Sequence, residues 1–439
     1  MTEPVRTIRV DSLARVEGEG GLLVRVRNGR IEDLQFRIHE PPRFFEGILR
    51  GRRYDEVPDI TARICGICPV AYLLGASQAM EQAAGVRVEG GLRDLRRLLY
   101  CGEWIASHAL HVFMLHLPDF LGLEDSFQLT RERPGLVEEA LGLRQLGNEI
   151  LIAVGGRAVH PINLRVGGFH RLPNPARLAA LVDPLRRGLE TAVRLTRFIA
   201  GLPFSDLTMA AIYVSLQHPD EYAIHEGRVV SDQGLALEVR RFEEYFVEEQ
   251  QAHSHALHGR LRGASRPCLT GPLARYANNH RQLSPLAREL AREAGLGDRV
   301  DNPFRSIVVR MVEVVFALEE GLRLLGELRQ AQAAAIEVSP RAVRGCGATE
   351  APRGLCYHRY DLDDEGRVTA ACIVPPTALN QPSIEEDLRR VVADHLDLPD
   401  ERLQWLCEQA IRNYDPCISC ATHFLRVRVE RAPQTSCPP

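Results

Sequence analysis

Two cysteine pairs with the same spacing stand near opposite ends of this chain, and they constrain its fold more than any other feature. They are Cys65-Gly-Ile-Cys68 and Cys417-Ile-Ser-Cys420, in a sequence of 439 residues. Four thiolates in two such pairs form a sulfur-rich ligand set that suits zinc, nickel or an iron-containing centre better than magnesium or calcium. A shared site would require the complete fold to bring both pairs together. Spacing alone leaves open two unrelated pairs, a dithiol redox motif or small structural zinc modules.

The composition excludes several classes of protein. With 45% hydrophobic and 26% charged residues, the chain can bury a sizeable core. It contains no run of about 18 uncharged apolar residues and no N-terminal signal-peptide pattern, so we predict no membrane span and a cytoplasmic location. The net charge of −4 and the absence of a basic stripe argue against a nucleic-acid partner. Eleven cysteines, an odd number, favour reduced thiols over a disulfide framework.

Hydrophobic periodicity predicts an α+β fold that is mainly helical. Residues 6 to 40 alternate polar and apolar, which indicates a small antiparallel sheet. Apolar residues at helical spacing predict long helices over 92 to 116, 177 to 199, 235 to 261 and 304 to 332, and such helices imply a central bundle. No low-complexity linker interrupts the chain, and no phosphate-binding loop motif occurs. Nucleotide chemistry, if coupled to this chain, would therefore reside on another subunit.

The residues around the cysteine pairs resemble the signature of the large, catalytic subunit of nickel-iron hydrogenases. Arg63 stands two residues before the first pair, and the second pair lies within Asp415-Pro-Cys-x-x-Cys-x-x-His423. Further segments typical of that family recur in order along the chain: Arg15-Val-Glu-Gly18, Glu46, Gly155-Gly-Arg-Ala-Val-His160-Pro, Gly271-Pro-Leu-Ala-Arg275-Tyr, Glu350-Ala-Pro-Arg353-Gly and Val374-Pro-Pro-Thr377. Each segment alone is weak, but the ordered set is strong.

The resemblance implies the long-helix bundle of that family as a single domain over residues 1 to 423. Within it we expect a β-rich part at 1 to 45, a helical core at about 58 to 340 and a metal-binding region at 341 to 423. Relatives are made as precursors whose C-terminal extension is removed after the histidine equivalent to His423, by an endopeptidase acting with a maturation chaperone. We therefore expect residues 424 to 439 to be cleaved, with a retained edge strand as the alternative.

The resemblance also assigns the ligands of a binuclear centre. Cys65 and Cys417 would bind nickel terminally, and Cys68 and Cys420 would bridge nickel to an iron that carries carbon monoxide and two cyanides. Cys420 also counts as catalytic, because a sulfur ligand can accept a proton transiently. The resemblance places a second cation, magnesium or iron, near the C-terminus. Its ligands would be Glu46, His423 and the backbone carbonyl of Cys372.

Two further side chains receive catalytic roles from the resemblance. Glu17 would be the first proton acceptor beside a bridging cysteine. Arg353 would lie above the open face of the metals, where its guanidinium could bind cyanide and help to polarise hydrogen. The expected cyanide-facing surface around it comprises Pro352, Val374, Pro375 and Thr377.

Further charged residues and a histidine cluster lie outside this assigned set. Arg63 is expected to lower the thiolate pKa values through its charge, and Asp119 and Asp415 are expected to pair with Arg353 and Arg63. The cluster His253-Ser-His255-Ala-Leu-His258 fits a partly exposed helix face better than a set of metal ligands.

Two departures from the common family pattern indicate a subgroup. Tyr72 stands where many relatives have histidine after the first pair, and Glu19 replaces another histidine. With the Arg15-Val-Glu-Gly opening, they resemble the cytoplasmic bidirectional hydrogenases coupled to NADP or NAD, also called sulfhydrogenases. Such enzymes need a small subunit with iron-sulfur clusters and diaphorase subunits with FAD. NADP versus NAD, direction and sulfur reduction stay open. The competing functions are a redox-inert relative of the quinone-site subunit of respiratory NADH dehydrogenase and a structural zinc or thiol protein.

Overall fold

The computed structural model describes residues 5–328, 331–339 and 341–423. The predicted C-terminal extension at 424–439 therefore lies outside the described residues. Helices dominate the described part, and every sheet in it is small. This architecture confirms the predicted α+β class, mainly helical. No helix among these residues is both long and apolar enough to cross a membrane.

The strands group into small sheets along the chain. Their bounds are β1 Arg6–Val10, β2 Gly20–Arg27, β3 Arg30–Ile38, β4 Leu164–Arg165, β5 Gly168–Phe169, β6 Ile212–Gln217, β7 Arg228–Ser231, β8 Ala236–Leu237, β9 Phe246–Gln250, β10 Leu257–Leu261, β11 Cys268–Leu269, β12 Arg344–Ala351, β13 Gly354–Leu362 and β14 Val368–Val374.

The α-helices vary widely in length. Their bounds are α1 Phe45–Ile48, α2 Val57–Thr61, α3 Pro69–Ala84, α4 Gly90–Ala109, α5 Leu117–Leu121, α6 Ser126–Glu132, α7 Pro134–Gly155, α8 Pro175–Ala179, α9 Val182–Ala200, α10 Phe242–Tyr245, α11 Pro272–Asn279, α12 Pro285–Glu293, α13 Ser306–Glu327, α14 Pro376–Asp394 and α15 Asp400–Arg412. A π-helical segment, Leu110–His116, continues α4 into α5.

The N-terminal sheet confirms the prediction for residues 6 to 40. Its order is β1-β2-β3 with antiparallel pairing throughout. Asn28 and Gly29 both have positive φ, 54° and 67°, as a tight hairpin between right-twisted strands requires. Buried side chains such as Val24 and Phe36 bind the sheet to the main core. The loop between β1 and β2 carries Glu17, so this sheet positions one of the predicted catalytic residues.

The helical bundle is built around α4, α7, α9 and α13, which pack on one another. Three of the four predicted long helices are therefore confirmed, at α4 with its π-helical extension, at α9 and at α13. Helix α4 is buried along most of its length, so its charged residues must find partners inside the protein. Arg96 pairs with Glu81 of α3 at 2.6 Å, and Arg97 pairs with Glu320 of α13. These buried ion pairs fix how the helices meet.

The fourth predicted helix, over 235 to 261, is wrong. This segment forms β8, a short 3-10 turn, the one-turn α10 and the hairpin β9-β10. The ring of Phe242 stacks on Phe246 at 4.4 Å and on Tyr357 at 4.3 Å, the latter in the C-terminal sheet. Apolar residues in a short segment fit either period, and here contacts with a distant sheet decide for strands.

The C-terminal sheet β12-β13-β14 is antiparallel and packs against α3. Contact is close because glycines face the helix: a Cβ on Gly345 would lie 2.0 Å from the carbonyl oxygen of Ala79. The sheet and α3 can therefore approach only where no side chain intervenes. Thr349 Oγ1 donates to the Ala71 carbonyl at 3.1 Å, so the end of β12 lies beside the N-terminal part of α3, which follows Cys68.

We expect Gly345→Ala to destabilise the protein, because the new methyl group would collide with backbone that cannot move aside cheaply. The expected cost is about 1 to 3 kcal/mol of unfolding free energy. Gly142→Ala is the matched control, since a Cβ at that position meets nothing within 4 Å. Gly142 lies in helix α7, where alanine is favoured over glycine. Thermal unfolding of both variants checks this. Equal midpoints would contradict the proposed steric contact.

The two ends of the described chain meet next to the C-terminal cysteines. Glu17 forms a parallel bridge with Cys417, in which the Ile418 amide donates to the Glu17 carbonyl at 3.0 Å. The amide of Arg43 donates to the carbonyl of Thr422 at 2.6 Å. The loop between β1 and β2 and the segment after β3 thus hold the C-terminal loop in place.

Candidate metal centre

Local structure presents each cysteine pair at the end of an element. Cys65 follows a 3-10 turn, and Cys68 is the N-cap of α3, with Pro69 at the first helical position, where proline is favoured. Cys417 follows α15 in a loop, and Cys420 lies in the 3-10 turn Ser419–Thr422. All four cysteines are buried. Each pair therefore projects its sulfur atoms inward from a turn that adjoining helices hold.

The four sulfur atoms form one cluster. Cys65 Sγ lies 3.5 Å from Cys417 Sγ, and Cys68 Sγ lies 3.7 Å from Cys420 Sγ. Within the C-terminal pair, the two sulfurs are 2.8 Å apart. All four lie within 4.8 Å of one another. The fold therefore brings together the two pairs that spacing alone could not join, and the sulfur-rich set fits a soft transition metal.

The surroundings shift the pKa values of two of these thiols in opposite directions. Hydrogen bonds with the other three thiols, that with Cys417 first, lower the pKa of Cys65 well below the ordinary thiol value, and the charge of Arg353 adds to this. The amides of Ile67 and Cys68 also donate to Cys65 Sγ, at 3.3 and 3.4 Å. Burial, by contrast, raises the pKa of Cys417 well above that value. A cation bound among the four sulfurs would favour their thiolate forms.

Glu17 lies in contact with the cluster. Its Oε2 is 3.1 Å from Cys417 Sγ and accepts a hydrogen bond from the Ser419 amide, also at 3.1 Å. The side chain is partly exposed, so it joins the buried sulfurs to the outer part of the protein. Its neighbour is Cys417, the cysteine expected to be a terminal ligand, and not a bridging cysteine. That detail of the expectation is wrong because the parallel bridge aligns Glu17 with Cys417 itself.

Arg353 is 1% exposed and is held by one acidic residue. Its Nε donates to the Asp415 carbonyl at 2.8 Å, and its Nη2 donates to Asp415 Oδ1 at 3.0 Å. Its Nη1 has no hydrogen-bond partner among the described residues. A buried, unpartnered guanidinium donor next to a thiol cluster fits an anionic or cyanide-like acceptor there, since leaving it unpaired is costly.

The other predicted carboxylate pairings differ from expectation. Asp119 pairs with Arg412 at 2.7 Å and with Arg15 at 2.7 Å. It therefore links the end of α15 to the β1–β2 loop and does not pair with Arg353. Arg63 pairs with Asp59 near the surface at 3.1 Å and is 38% exposed. Its predicted influence on the thiols is wrong, because its side chain points to solvent and Arg353 supplies the buried charge.

The residues expected around Arg353 occupy supporting positions. Pro352 offers its carbonyl to Arg275 at 3.0 Å, Val374 ends β14, and Pro375 is the N-cap of α14. Thr377, in the first turn of α14, accepts a hydrogen bond from the Cys417 amide at 3.1 Å. Thr377 therefore orients a cysteine directly.

A second group of donors surrounds the end of the described chain. Glu46 Oε1 accepts from the Ile373 amide at 2.8 Å, and His423 Nε2 lies 2.6 Å from the Ile373 carbonyl oxygen. The carbonyl beside His423 is thus that of Ile373, one residue after Cys372, whose backbone carbonyl the sequence predicts as a ligand. Neighbouring carbonyls of β14 point in opposite directions because of the strand pleat. A carboxylate, a carbonyl and an imidazole fit a hard divalent cation.

Sequence reasoning missed one buried acid. Glu103 of α4 accepts from the Val70 amide at 2.6 Å and from the Ala71 amide at 3.3 Å, at the start of the helix that follows Cys68. Burial raises the pKa of Glu103 well above its usual range. Its only sequence signal is a lone glutamate in an apolar stretch of α4. Tyr72, noted for replacing histidine, is buried and stacks edge-on against His358.

We expect Arg353→Lys to lower catalytic activity at the sulfur cluster about 10²- to 10³-fold, while the metal content of the four cysteines persists. An ammonium group keeps the charge but cannot make the two contacts to Asp415 and also offer a third donor. Arg63→Lys, on the surface, is the matched control and should be nearly silent. Equal activities of the two variants would contradict this role for Arg353.

Comparisons with known proteins agree with this geometry. The model of the nickel-dependent hydrogenase family matches residues 43–133 and 238–423. Sulfhydrogenase 1 subunit alpha of Pyrococcus furiosus is 33% identical over 96% of this chain and 98% of its own length. Sulfhydrogenase 2 subunit alpha of the same organism is 30% identical over 96% and 100%.

A solved structure extends this agreement to the fold. The crystal structure of an NAD+-reducing NiFe-hydrogenase in the H2-reduced state superposes with a TM-score of 0.87 at 26% identity, covering 95% of this chain and 99% of the other. The long-helix bundle expected from the sequence motifs is thereby confirmed. With the sulfur cluster and the sequence matches, it shows that the chain belongs to the nickel-dependent hydrogenase family, as the large subunit of a hydrogenase.

Proposed function

We propose that this chain is the catalytic subunit of a nickel-iron hydrogenase that splits H2 reversibly into protons and electrons. The observation that carries the proposal is the cluster of four sulfurs from both ends of the chain, with Glu17 at 3.1 Å from one of them. Cys65, Cys68, Cys417 and Cys420 would hold nickel, and Cys68 and Cys420 would also hold an iron with one CO and two CN ligands. When bound, this group would polarise H2 and accept its electrons.

The side chains around the sulfurs would handle the proton and exclude water. A proton leaving the buried centre needs an acceptor within hydrogen-bond reach, and Glu17 Oε2 meets that condition at Cys417 Sγ. Glu17 is also partly exposed, so it can pass the proton outward. Arg353 would present its free Nη1 to the cyanide side, while Asp415 fixes the guanidinium plane through two contacts. Thr377 would hold the Cys417 backbone still during turnover.

A second cation would stabilise the C-terminal end of the catalytic region. Glu46, the Ile373 carbonyl and His423 supply its donors, and magnesium or iron suits them. His423 also contacts the carbonyl of Cys420 through Nδ1. The imidazole of His423 would therefore connect the second cation to the backbone of Cys420. Proteolysis after His423 is proposed as the maturation step, carried out with a chaperone and an endopeptidase.

We expect Glu46→Ala to lose about one magnesium or iron per chain and to unfold at a lower temperature, because His423 would lose the ion that anchors it. The exposed Glu56, 44% exposed at its side chain, serves as the matched control in Glu56→Ala. Elemental analysis of both variants, with nickel measured alongside, checks this. A metal content in Glu46→Ala equal to that of the control would contradict the second cation site.

Electrons would leave through a small subunit that carries iron-sulfur clusters, and diaphorase subunits with FAD would exchange them with NAD or NADP. Val159 and Ile162 support a docking face near the first cysteine pair: both are about half exposed, and Val159 borders Gly66. The name of the superposed NAD+-reducing enzyme favours nicotinamide coupling, and the names of the Pyrococcus furiosus relatives suggest an additional sulfur-reducing activity. A cytoplasmic location fits such a nucleotide partner.

The test is infrared spectroscopy of the complex purified through a tag on this chain, with elemental analysis of the same sample. Bands of iron-bound CO and CN, nickel and iron in comparable amounts, and H2-dependent reduction of NAD or NADP are expected. Zinc alone at the cysteines would support a structural zinc protein. No metal would support a redox-inert relative. Either result would overturn the proposal.

A further inference from the structure

A further set of metal-ligand side chains lies away from the four cysteines and from Glu46 and His423. Ligand atoms of His253, His258 and Glu385 all lie within 4.8 Å of one another. His253 stands in the turn of the β9-β10 hairpin, His258 lies on β10, and Glu385 lies on α14. The hairpin, which replaces the helix expected here, brings the two histidines to the same acidic residue. His253 Nε2 already lies 2.7 Å from Glu385 Oε1.

His258 supplies an independent sign of a ligand. Its side chain is 1% exposed, and its Nε2 has no hydrogen-bond partner among the described residues. A buried polar atom left unpaired costs about 1 to 3 kcal/mol, so a bound ion would remove a real penalty.

The donor set and its dimensions identify the class of ion. Two imidazoles and one carboxylate suit a borderline first-row divalent ion, and zinc accepts three protein ligands with water in a fourth position. Ligands about 2.0 to 2.2 Å from zinc lie roughly 3.3 to 3.6 Å apart in a tetrahedron. The observed group needs only small side-chain movements to reach that spacing, because one edge is already 2.7 Å and the others do not exceed 4.8 Å.

We propose that His253, His258 and Glu385 bind a zinc ion, separate from the cysteine centre. Glu385 Oε1 also accepts from the Phe36 amide at 3.0 Å. The ion would therefore tie three elements together: β3 of the N-terminal sheet, the β9-β10 hairpin and α14. Helix α14 begins beside Thr377, which holds the Cys417 backbone. Zinc at this position would fix the middle of the helix whose first turn holds the Cys417 backbone.

The experiment measures zinc in the purified, matured complex after incubation with a slight excess of zinc chloride and removal of free ion. About one zinc per chain is expected in the wild type, with X-ray absorption showing nitrogen and oxygen ligands and no sulfur. His258→Ala and His253→Ala should bind zinc at least about tenfold more weakly. His255→Ala is the matched control, since His255 lies between them, is exposed, and its Nδ1 faces the backbone carbonyls of His39 and Glu40, just after β3.

Further measurements make each outcome decisive. Nickel and iron contents are recorded in every variant, so that loss of the catalytic centre is not mistaken for loss of this site. Glu385→Gln provides a variant with unchanged shape if an alanine variant fails to fold. Zinc should raise the unfolding temperature of the wild type and of His255→Ala, but not of Glu385→Gln. Equal zinc binding by His258→Ala and His255→Ala, sulfur ligands in the absorption spectrum, or no zinc bound by the wild type would overturn the proposal.

Discussion

Replacing Cys420 by serine should yield a chain that purifies without a binuclear centre and with no measurable H2 turnover. Cys420 Sγ is 2.8 Å from Cys417 Sγ and 3.7 Å from Cys68 Sγ, so it contacts both its own pair and the N-terminal pair. A serine hydroxyl is a hard, weakly acidic donor that does not replace a bridging thiolate. We expect activity to fall by roughly a thousandfold or more, with nickel reduced in proportion. Elemental analysis and infrared spectroscopy measure both effects.

The matched control for this variant is Cys407→Ser. Cys407 is also a fully buried cysteine, on α15, but it is not part of the sulfur cluster. The control should lose some stability, because a hydroxyl replaces a buried thiol, yet it should keep nickel, iron and the CO and CN bands. If Cys420→Ser retained those bands and its activity, the assignment of Cys420 as a bridging ligand would be wrong.

Glu17→Gln should keep both metals while losing most of its hydrogen turnover. Glutamine has the same shape as glutamate, so its side-chain oxygen can still accept the hydrogen bond from the Ser419 amide, which Glu17 Oε2 accepts at 3.1 Å. It cannot take a proton from Cys417 Sγ, however, and general acid-base steps typically contribute about 10²- to 10⁴-fold. We expect kcat to fall within that range with unchanged infrared bands. Steady-state H2 oxidation and production assays measure it in both directions.

Glu19→Gln is the control for Glu17→Gln. Glu19 lies two residues away on the same loop, and its side chain is exposed. Because no proton needs to cross it in the proposed route, its replacement should leave turnover nearly unchanged. Exchange of hydrogen isotopes adds a second readout, since a blocked proton exit should slow it in Glu17→Gln alone. An active Glu17→Gln enzyme would remove Glu17 from the proton path.

The sequence alone predicted a large share of the fold and of the catalytic centre. Alternating residues before position 40 predicted the N-terminal sheet, and apolar spacing predicted α4, α9 and α13, because both patterns are local consequences of which face is buried. The flanks of the two cysteine pairs indicated the family. They did so because ligand chemistry limits which residues can stand next to a metal, whatever the path of the chain between them.

The helix expected over 235 to 261 shows where local patterns fail. Its apolar residues satisfy either period, and the hairpin forms because Phe242 stacks on Tyr357, a residue far away in sequence. The same hairpin then gathers His253 and His258 against Glu385 of α14. A pattern read along the chain cannot contain a contact whose partner lies more than a hundred residues away.

The exact partners at the centre were likewise decided by the tertiary structure. The sequence named Glu17 but not its neighbour Cys417, and it named the segment of Cys372 but not the carbonyl of Ile373. The sequence left two arginines, Arg353 and Arg63, as partners of Asp415, and in the structure Asp415 pairs with Arg353. Residue types and spacing determine which chemistry a chain can perform, since they fix the available donors. Distances and orientations of a few ångströms arise only when sheets and helices pack, because strand pleat and helix position set which atom faces which.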